Sequence, residues 1–154
     1  MTQKYRKGVG IFLINKRNQL WVGKRSDYKN EYWQMPQGGI DGTESPEKAM
    51  RRELMEETGL EENYKIITKT SDWLDYKLPQ ELINEVWNGK YIGQKQIWFA
   101  CRFFGNDDQV DIKKYLKVLE IFIKSNRVFL MPCLSSFSNL PHPYLMVLQS
   151  YLLN

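Results

Sequence analysis

Apolar and polar positions divide the first hundred residues into short strand-like runs and one helix-like run. Val9 to Asn15 is apolar and rich in β-formers, Lys16-Arg17-Asn18-Gln19 supplies a polar turn, and Leu20 to Lys24 reads as the returning strand of a hairpin. Trp33 to Ile40 is a short strand breaking into a turn at Gly38-Gly39. Ser45-Pro46-Glu47 opens a helix, with a hydroxyl at the cap and proline in the first helical position. The helix should run to about Thr58, with Gly59 taking the left-handed position beyond it and Leu60 folding back on the last turn. Strand signals return at Tyr64 to Thr70 and, most strongly, at Gln94 to Phe104, with a helix or loop at Leu78 to Trp87 between them. Strands and one strong helix interleave without regular βαβ spacing and without an internal repeat. That arrangement predicts a mixed sheet flanked by helices in a single domain.

The C-terminal stretch differs in kind. From Val128 to Asn154 there is no Asp, Glu, Lys or Arg. Prolines at 132, 141 and 143 interrupt any long helix, since each removes an amide donor and crowds the preceding turn. The expectation is irregular chain from Val128 to Pro143 and at most a short helix from Leu145 to Leu153.

Composition adds exclusions rather than a function. With 154 residues, 42% hydrophobic and 26% charged, the chain suits one folded domain, residues 1–154. A net charge of +4 is compatible with a polyanionic partner but decides little. Cys101 and Cys133 form no CxxC pair and no disulfide framework, and no apolar stretch reaches the ~18 residues of a membrane span. The N-terminus carries no secretory pattern, so a reducing cytoplasm is expected. Gly8 and Gly10 lack the rest of a dinucleotide-binding fingerprint. Gly23-Lys24-Arg25-Ser26 lacks the upstream glycine of a phosphate-binding loop. His142 is the one histidine and lies between prolines, which argues against histidine catalysis.

Chemistry concentrates on the strong helix. Glu53, Glu56 and Glu57 stand at i, i+3 and i+4, so they project from one side, while Met50 and Leu54 point elsewhere, to a core. Each unfavourable carboxylate pair costs roughly 0.2–0.5 kcal/mol, partly offset by Arg52 four residues before Glu56. Three such carboxylates are what a hard, oxygen-seeking cation requires, although a plain acidic surface would look the same.

The wider spacing separates the two. Gly38, five residues, Glu44, seven residues, Arg52-Glu53-Leu54, one residue, Glu56-Glu57, one residue, Gly59-Leu60 resembles the Nudix box at every defined position. The resemblance implies an α+β fold of the α/β/α sandwich type: a mixed, curved sheet flanked by helices, with a catalytic loop-helix-loop at 38–60. It implies hydrolysis of a phosphate anhydride with a divalent cation, Mg²⁺ first and Mn²⁺ second. Glu56 and Glu57 would be primary ligands, Glu53 a ligand or the base, and Gly38 part of the metal site. Arg52 would orient the carboxylates, with Glu44 supporting the entry to the helix.

Several further segments are similar to the bacterial RNA pyrophosphohydrolases and their dinucleoside polyphosphate hydrolase relatives. They are Tyr5-Arg6 before Gly8-Val9-Gly10-Ile11, Trp33 to Ile40, Trp73-Leu74-Asp75-Tyr76-Lys77-Leu78-Pro79, and Gly93-Gln94-Lys95-Gln96-Ile97-Trp98-Phe99. The implied reaction removes pyrophosphate from a 5′-triphosphorylated RNA, leaving a 5′ monophosphate and promoting RNA decay. Asymmetric cleavage of diadenosine tetraphosphate is the alternative, and a non-catalytic nucleotide- or RNA-binding module is a reading from another class. Duplex DNA and membranes are not expected partners, and a monomer is the default. Arg6, Arg25, Lys77 and Lys95 suit phosphates, and Gln94 and Gln96 could donate hydrogen bonds. Trp33, Tyr76 or Trp98 could stack a base, with Trp98 weighted toward a core position.

The resemblance spans residues 5 to about 112 and then stops. Related chains carry a further glutamate in a Pro-Glu-aromatic setting, where this chain reads Lys113-Lys114-Tyr115-Leu116-Lys117-Val118-Leu119-Glu120. The basic amphipathic C-terminal helix of the family is replaced by the uncharged segment. A shifted reading frame from about Tyr115, or divergence to a new C-terminal segment over 115–154, would each produce this break.

Overall fold

The apolar run that starts at Val9 is the inner part of a longer strand. The computed structural model describes residues 4–24, 33–83, 86–112 and 128–132. In chain order these form β1 (Tyr5–Ile14), β2 (Gln19–Lys24), β3 (Trp33–Gln34), β4 (Gln37–Gly39), α1 (Pro46–Thr58), β5 (Tyr64–Lys69), β6 (Leu74–Lys77), β7 (Gly93–Phe103) and β8 (Val128–Pro132). Short 3₁₀ turns occupy Gln80–Leu82, Val86–Gly89 and Asp107–Gln109, so the segment expected as helix or loop holds 3₁₀ turns and, among its described residues, no α-helix.

The centre of the sheet is a parallel pair. β1 and β7 match from Tyr5↔Gly93 to Ile14↔Arg102. Parallel strands are covered on both faces, which is why Val9 to Ile14 and Ile97 to Cys101 read as continuous apolar runs rather than alternating ones. Tyr5 to Gly8 extend β1 beyond the expected start, because pairing with Gly93 to Gln96 recruits residues that carry no apolar pattern. β5 and β6 pair antiparallel with β7, and a bulge in β5 leaves Ile67 exposed. Across the sheet, β4 and β2 both pair with β1, one beside each half of it.

At the β1–β2 turn, Asn15 folds its side-chain oxygen onto the Arg17 and Gln19 amides at 3.0 and 2.9 Å, and Asn18 takes the left-handed conformation. Asn15 also donates to Asp107, which pairs with Arg17, tying the turn to the far end of β7.

One expectation changes. Val128 to Pro132 forms β8, antiparallel to β2, rather than irregular chain. Its proline stands last in the strand, where a missing amide donor breaks no inner rung. Leu145 to Leu153, Cys133, His142 and Glu120 lie outside the described residues. Among the described residues α1 is the one α-helix, so the helical cover seen is on one face of the sheet. No helix there is long and apolar enough to cross a membrane.

The helix sits as its ends dictate. Ser45 accepts the Lys48 amide at 3.2 Å, Pro46 follows, and Gly59 closes the helix at φ 75° with its N–H on the Met55 carbonyl. Ala49, Met50 and Leu54 are wholly buried against Val9, Ile11, Leu13, Ile97, Phe99 and Phe103. Phe12, Ile14, Trp98 and Ala100 are buried on the other face, with the Phe12 and Trp98 rings 5.0 Å apart.

Gly59 meets two constraints at once: its backbone is left-handed, and a Cβ there would stand 2.8 Å from the Asp111 carbonyl oxygen. Gly42 is left-handed too (φ 51°) but faces open space. Both alanine variants should lose about 1 kcal/mol from the backbone, and Gly59→Ala a further amount from the Asp111 contact. Urea unfolding of the two variants measures that difference. Equal losses would show that the contact relaxes freely.

Candidate active site

α1 lies along the open edge of β4, and the ladder between β4 and β1 decides what that edge offers. The Ile40 amide donates to the Lys7 carbonyl at 3.1 Å, and the Ile11 amide to the Pro36 carbonyl at 2.9 Å. Antiparallel ladders alternate, so the intervening Val9↔Gly38 pair is hydrogen-bonded, and Gln37 and Gly39 turn their backbone groups away from β1. Those outward groups meet the helix. Glu57 Oε2 accepts the Gln37 amide at 3.1 Å, and Arg52 Nη2 donates to the Gly39 carbonyl at 2.8 Å.

This geometry corrects one expectation about Gly38. It lies in a strand, not in a tight turn, and its carbonyl takes part in the β1 ladder. The outward carbonyls are those of Gln37 and Gly39. Glycine is required here for close approach instead: a Cβ on Gly38 would land on the Glu53 carboxyl group, and one on Gly39 on the Arg6 guanidinium. Acid and base thus press on β4 at adjacent residues, from opposite faces.

Arg52 is the common countercharge. Its guanidinium reaches Glu44 at 2.6 Å, Glu53 at 2.9 Å, Glu56 at 3.2 Å and Asp41 at 3.5 Å, besides the Gly39 carbonyl. The Glu44 bond, more than any other contact, raises the Arg52 pKa above its ordinary value. In return the Arg52 hydrogen bond, joined by the Asp41 amide, lowers the Glu44 pKa against the cost of burial. Glu53 moves the other way. At 9% exposure its carboxyl pKa is raised by desolvation and by Glu56, while Arg52 and Arg6 pull it down.

Glu53, Glu56, Glu57 and the outward Gln37 carbonyl are all hard oxygen donors, and the space at Gly38 that a Cβ would fill is taken by a carboxylate. That donor set fits a small divalent cation. Among the described residues no three acidic, histidine or cysteine side chains already stand together as a cage. Glu53 and Glu56 each give one carboxylate oxygen to Arg52.

A second group adjoins the first. Arg6↔Gln94 and Gln94↔Tyr76 are direct neighbours in β1, β7 and β6, so the three side chains form one row on the face opposite α1. Tyr76 is 43% exposed. Arg6 also lies 5.5 Å from the Trp87 ring centre, and Trp87 and Asn88 both hold left-handed backbone.

Lys95 does not belong to this row. Alternation puts it on the other face, where it pairs with Asp75 at 3.3 Å and lies over the Tyr5 ring. Gln96 shares the row's face but is only 3% exposed and donates to Gln37 Oε1 at 3.0 Å, so it is no free donor for a ligand. Trp98 is buried, in keeping with a core role. Lys77 is exposed at the end of β6, while Arg25 and the Trp33 side chain lie outside the described residues. Trp87 and the Gln37–Gln96 contact were not foreseen. The spacing of Gln94 and Gln96 places both on one face, but burial of the second depends on strand register.

The family model of the NUDIX domain matches residues 4–115. The chain belongs to the NUDIX domain family. An RNA pyrophosphohydrolase of Wolbachia sp. subsp. Drosophila simulans is 52% identical over 109 residues, which are 71% of this chain and 66% of the relative. Another, of Cereibacter sphaeroides, is 50% identical over 112 residues, 72% of this chain and 69% of the relative. The chain therefore spans just under two thirds of the length of the first of these. A crystal structure of a C. elegans Ap4A hydrolase binary complex superposes with a TM-score of 0.62 at 17% identity, over 96% of this chain and 97% of that one, a likeness of fold. The Nudix assignment and the sequence likeness to RNA pyrophosphohydrolases both hold, and the match ends where the resemblance in sequence ended.

The crowding at Gly38 gives a direct test of the Nudix site. Gly38→Ala should fold, because Glu53 can swing its carboxyl aside. A displacement of about 1 Å in such a group costs on the order of a hundredfold in rate. Circular dichroism should stay as in the parent while metal-dependent pyrophosphate release falls to about a hundredth. Release within threefold of the parent would show that the Glu53 position against β4 is not used.

Proposed function

We propose that this Nudix chain is an RNA pyrophosphohydrolase, cutting pyrophosphate from the 5′ triphosphate of an RNA and leaving a 5′ monophosphate. The observation that carries this reading is the juxtaposition across β4: Glu53 lies against Gly38, and Arg6 lies over Gly39 at the head of a row continued by Gln94 and Tyr76. Relatives about half identical bear the name RNA pyrophosphohydrolase, which supports the choice of substrate. Their bacterial origin supports a cytoplasmic site of action for a single Nudix domain.

Glu56 and Glu57 would hold the divalent cation, Mg²⁺ in the first instance, with the Gln37 carbonyl beside them and Glu53 as a further ligand or the base. When bound, such a cation supplies charge neutralisation along the phosphate chain and acidifies the water beside it. The remaining work falls to side chains. Arg6 neutralises phosphate oxygens, Gln94 donates a hydrogen bond, and Tyr76 offers a ring on which the terminal base stacks. Arg25 is a further cation for the phosphates. Water oxygen attacks phosphorus, the bridging P–O bond breaks, pyrophosphate departs, and the water proton passes to a carboxylate. Glu53 suits that role, since desolvation has made its carboxyl a better proton acceptor than an exposed one. Arg52 keeps it aimed at β4, and Glu44 keeps Arg52 in place.

The test compares kcat/KM for a 5′-triphosphorylated oligoribonucleotide and for diadenosine tetraphosphate, with Mg²⁺ and with Mn²⁺. The RNA should be preferred, and Arg25→Ala should raise its KM. Glu53→Gln should fold and lose at least about a hundredfold in kcat, the span of general acid–base catalysis. Preference for the dinucleotide would replace the RNA reading with the alternative. Binding without turnover would mean a non-catalytic module.

A further inference from the structure

A glutamine buried in a parallel strand needs an explanation, because an amide left unpaired there keeps the full cost of its desolvation. Gln96 sits in β7 just before Ile97 and Trp98, at 3% exposure. Its partner is not on a neighbouring strand. Gln96 aligns with Gly8 of β1, and its Nε2 passes over β1 to reach Gln37 Oε1 on β4 at 3.0 Å. The crossing passes β1 at a residue without a side chain: a Cβ on Gly8 would meet Gln96 Cγ only at ordinary contact distance, 3.7 Å, but would stand 2.6 Å from the Gly38 carbonyl oxygen, so this glycine serves the close approach of β4 to β1. Two positions along, Gly10 leaves room for the Trp98 indole, which a Cβ would overlap. The two glycines of β1, which carry no nucleotide fingerprint, thus fit the sheet's central strand to its neighbours.

The far end of this contact is the residue on which the carboxylate site rests. The Gln37 amide holds Glu57 at 3.1 Å, and its carbonyl faces outward from the β1 ladder. β4 is only three residues long, with α1 against its open edge. Little else fixes the Gln37 side chain: its own amide reaches Gln34 Oε1 at the limiting distance of 3.5 Å.

We propose that Gln96 is a positioning residue that acts through Gln37, clamping β4 from across β1 so that the Gln37 amide and carbonyl present the metal-ligand edge to Glu57 and the cation. The same strand carries Gln94 in the phosphate-facing row two residues earlier, so β7 serves both halves of the site. The proposal rests on the Nudix reading of the α1–β4 site. Outer contacts of this kind change metal affinity by roughly 10–100-fold when removed.

The test uses the full chain and Mn²⁺ alone, titrated calorimetrically, together with hydrogen exchange of the Gln37 amide without metal. Gln96→Met keeps length and apolar volume but removes the donor, and Gln37→Met removes the acceptor from a half-exposed position that tolerates it. Each should weaken Mn²⁺ binding about tenfold and speed Gln37 amide exchange, while amides of the Val9–Phe12 ladder keep their protection. The double variant should be no worse than either single one. Multiplying losses in the double variant, or parent-like Mn²⁺ affinity and exchange in Gln96→Met, would overturn the proposal. A parent chain that binds no Mn²⁺ would overturn the Nudix metal site itself, a separate outcome.

Discussion

Val9 and Gly38 pair as a hydrogen-bonded rung, and that single register governs the site. Shift it by one residue and Gly38, not Gln37 and Gly39, would present backbone groups to the helix. Glu57 would lose its amide, Arg52 its carbonyl, and Glu53 the gap into which its carboxyl fits. The helix contributes charge, but the three-residue strand β4 contributes its coordinates. This is why the core on the α1 face matters to function: Met50 and Leu54 hold the helix at the height where Glu53 and Glu57 meet that rung.

Electrostatics then sets the carboxylates apart from one another. Four acids share one guanidinium, yet they do not share it equally. Glu44 takes the shortest bond and remains readily ionised. Glu53, buried against glycine, resists ionisation. One guanidinium and one difference in burial thus push neighbouring carboxyl groups in opposite directions. Arg6, on the far side of the same strand, adds a second cation close enough to act on Glu53 but free of the Arg52 cluster.

Much of this was readable from residues alone. Ser45, Pro46 and Gly59 mark the helix ends because capping is local chemistry, and i, i+3, i+4 spacing places three glutamates on one side whatever the tertiary structure. The hairpin at Lys16–Gln19 follows from the same kind of local signal. Register was not readable. Gly38-Gly39 looks like a turn until β1 is laid beside it, and Tyr5 to Gly8 look like loop until β7 supplies a partner. Lys95 and Gln94 are adjacent in sequence and obviously opposed in a strand. Which of them faces the row was decided only by the pairing with Arg6 and Tyr76. Gln96 has the right parity for the row and still is not free to serve it, because it is buried and its amide is spent on Gln37.

The parallel pairing of residues 5–14 with residues 93–102 also orders the events of folding in time. The β1–β2 turn and the caps of α1 are satisfied by near neighbours and form quickly. Closing the long loop to β7 must wait, since the entropy of bringing distant segments together is lost before their contacts repay it. During synthesis the acidic helix therefore leaves the ribosome well before the strand that completes the sheet beside β1. A nascent chain at that stage carries its cluster of carboxylates with only half of the framework that fixes their spacing.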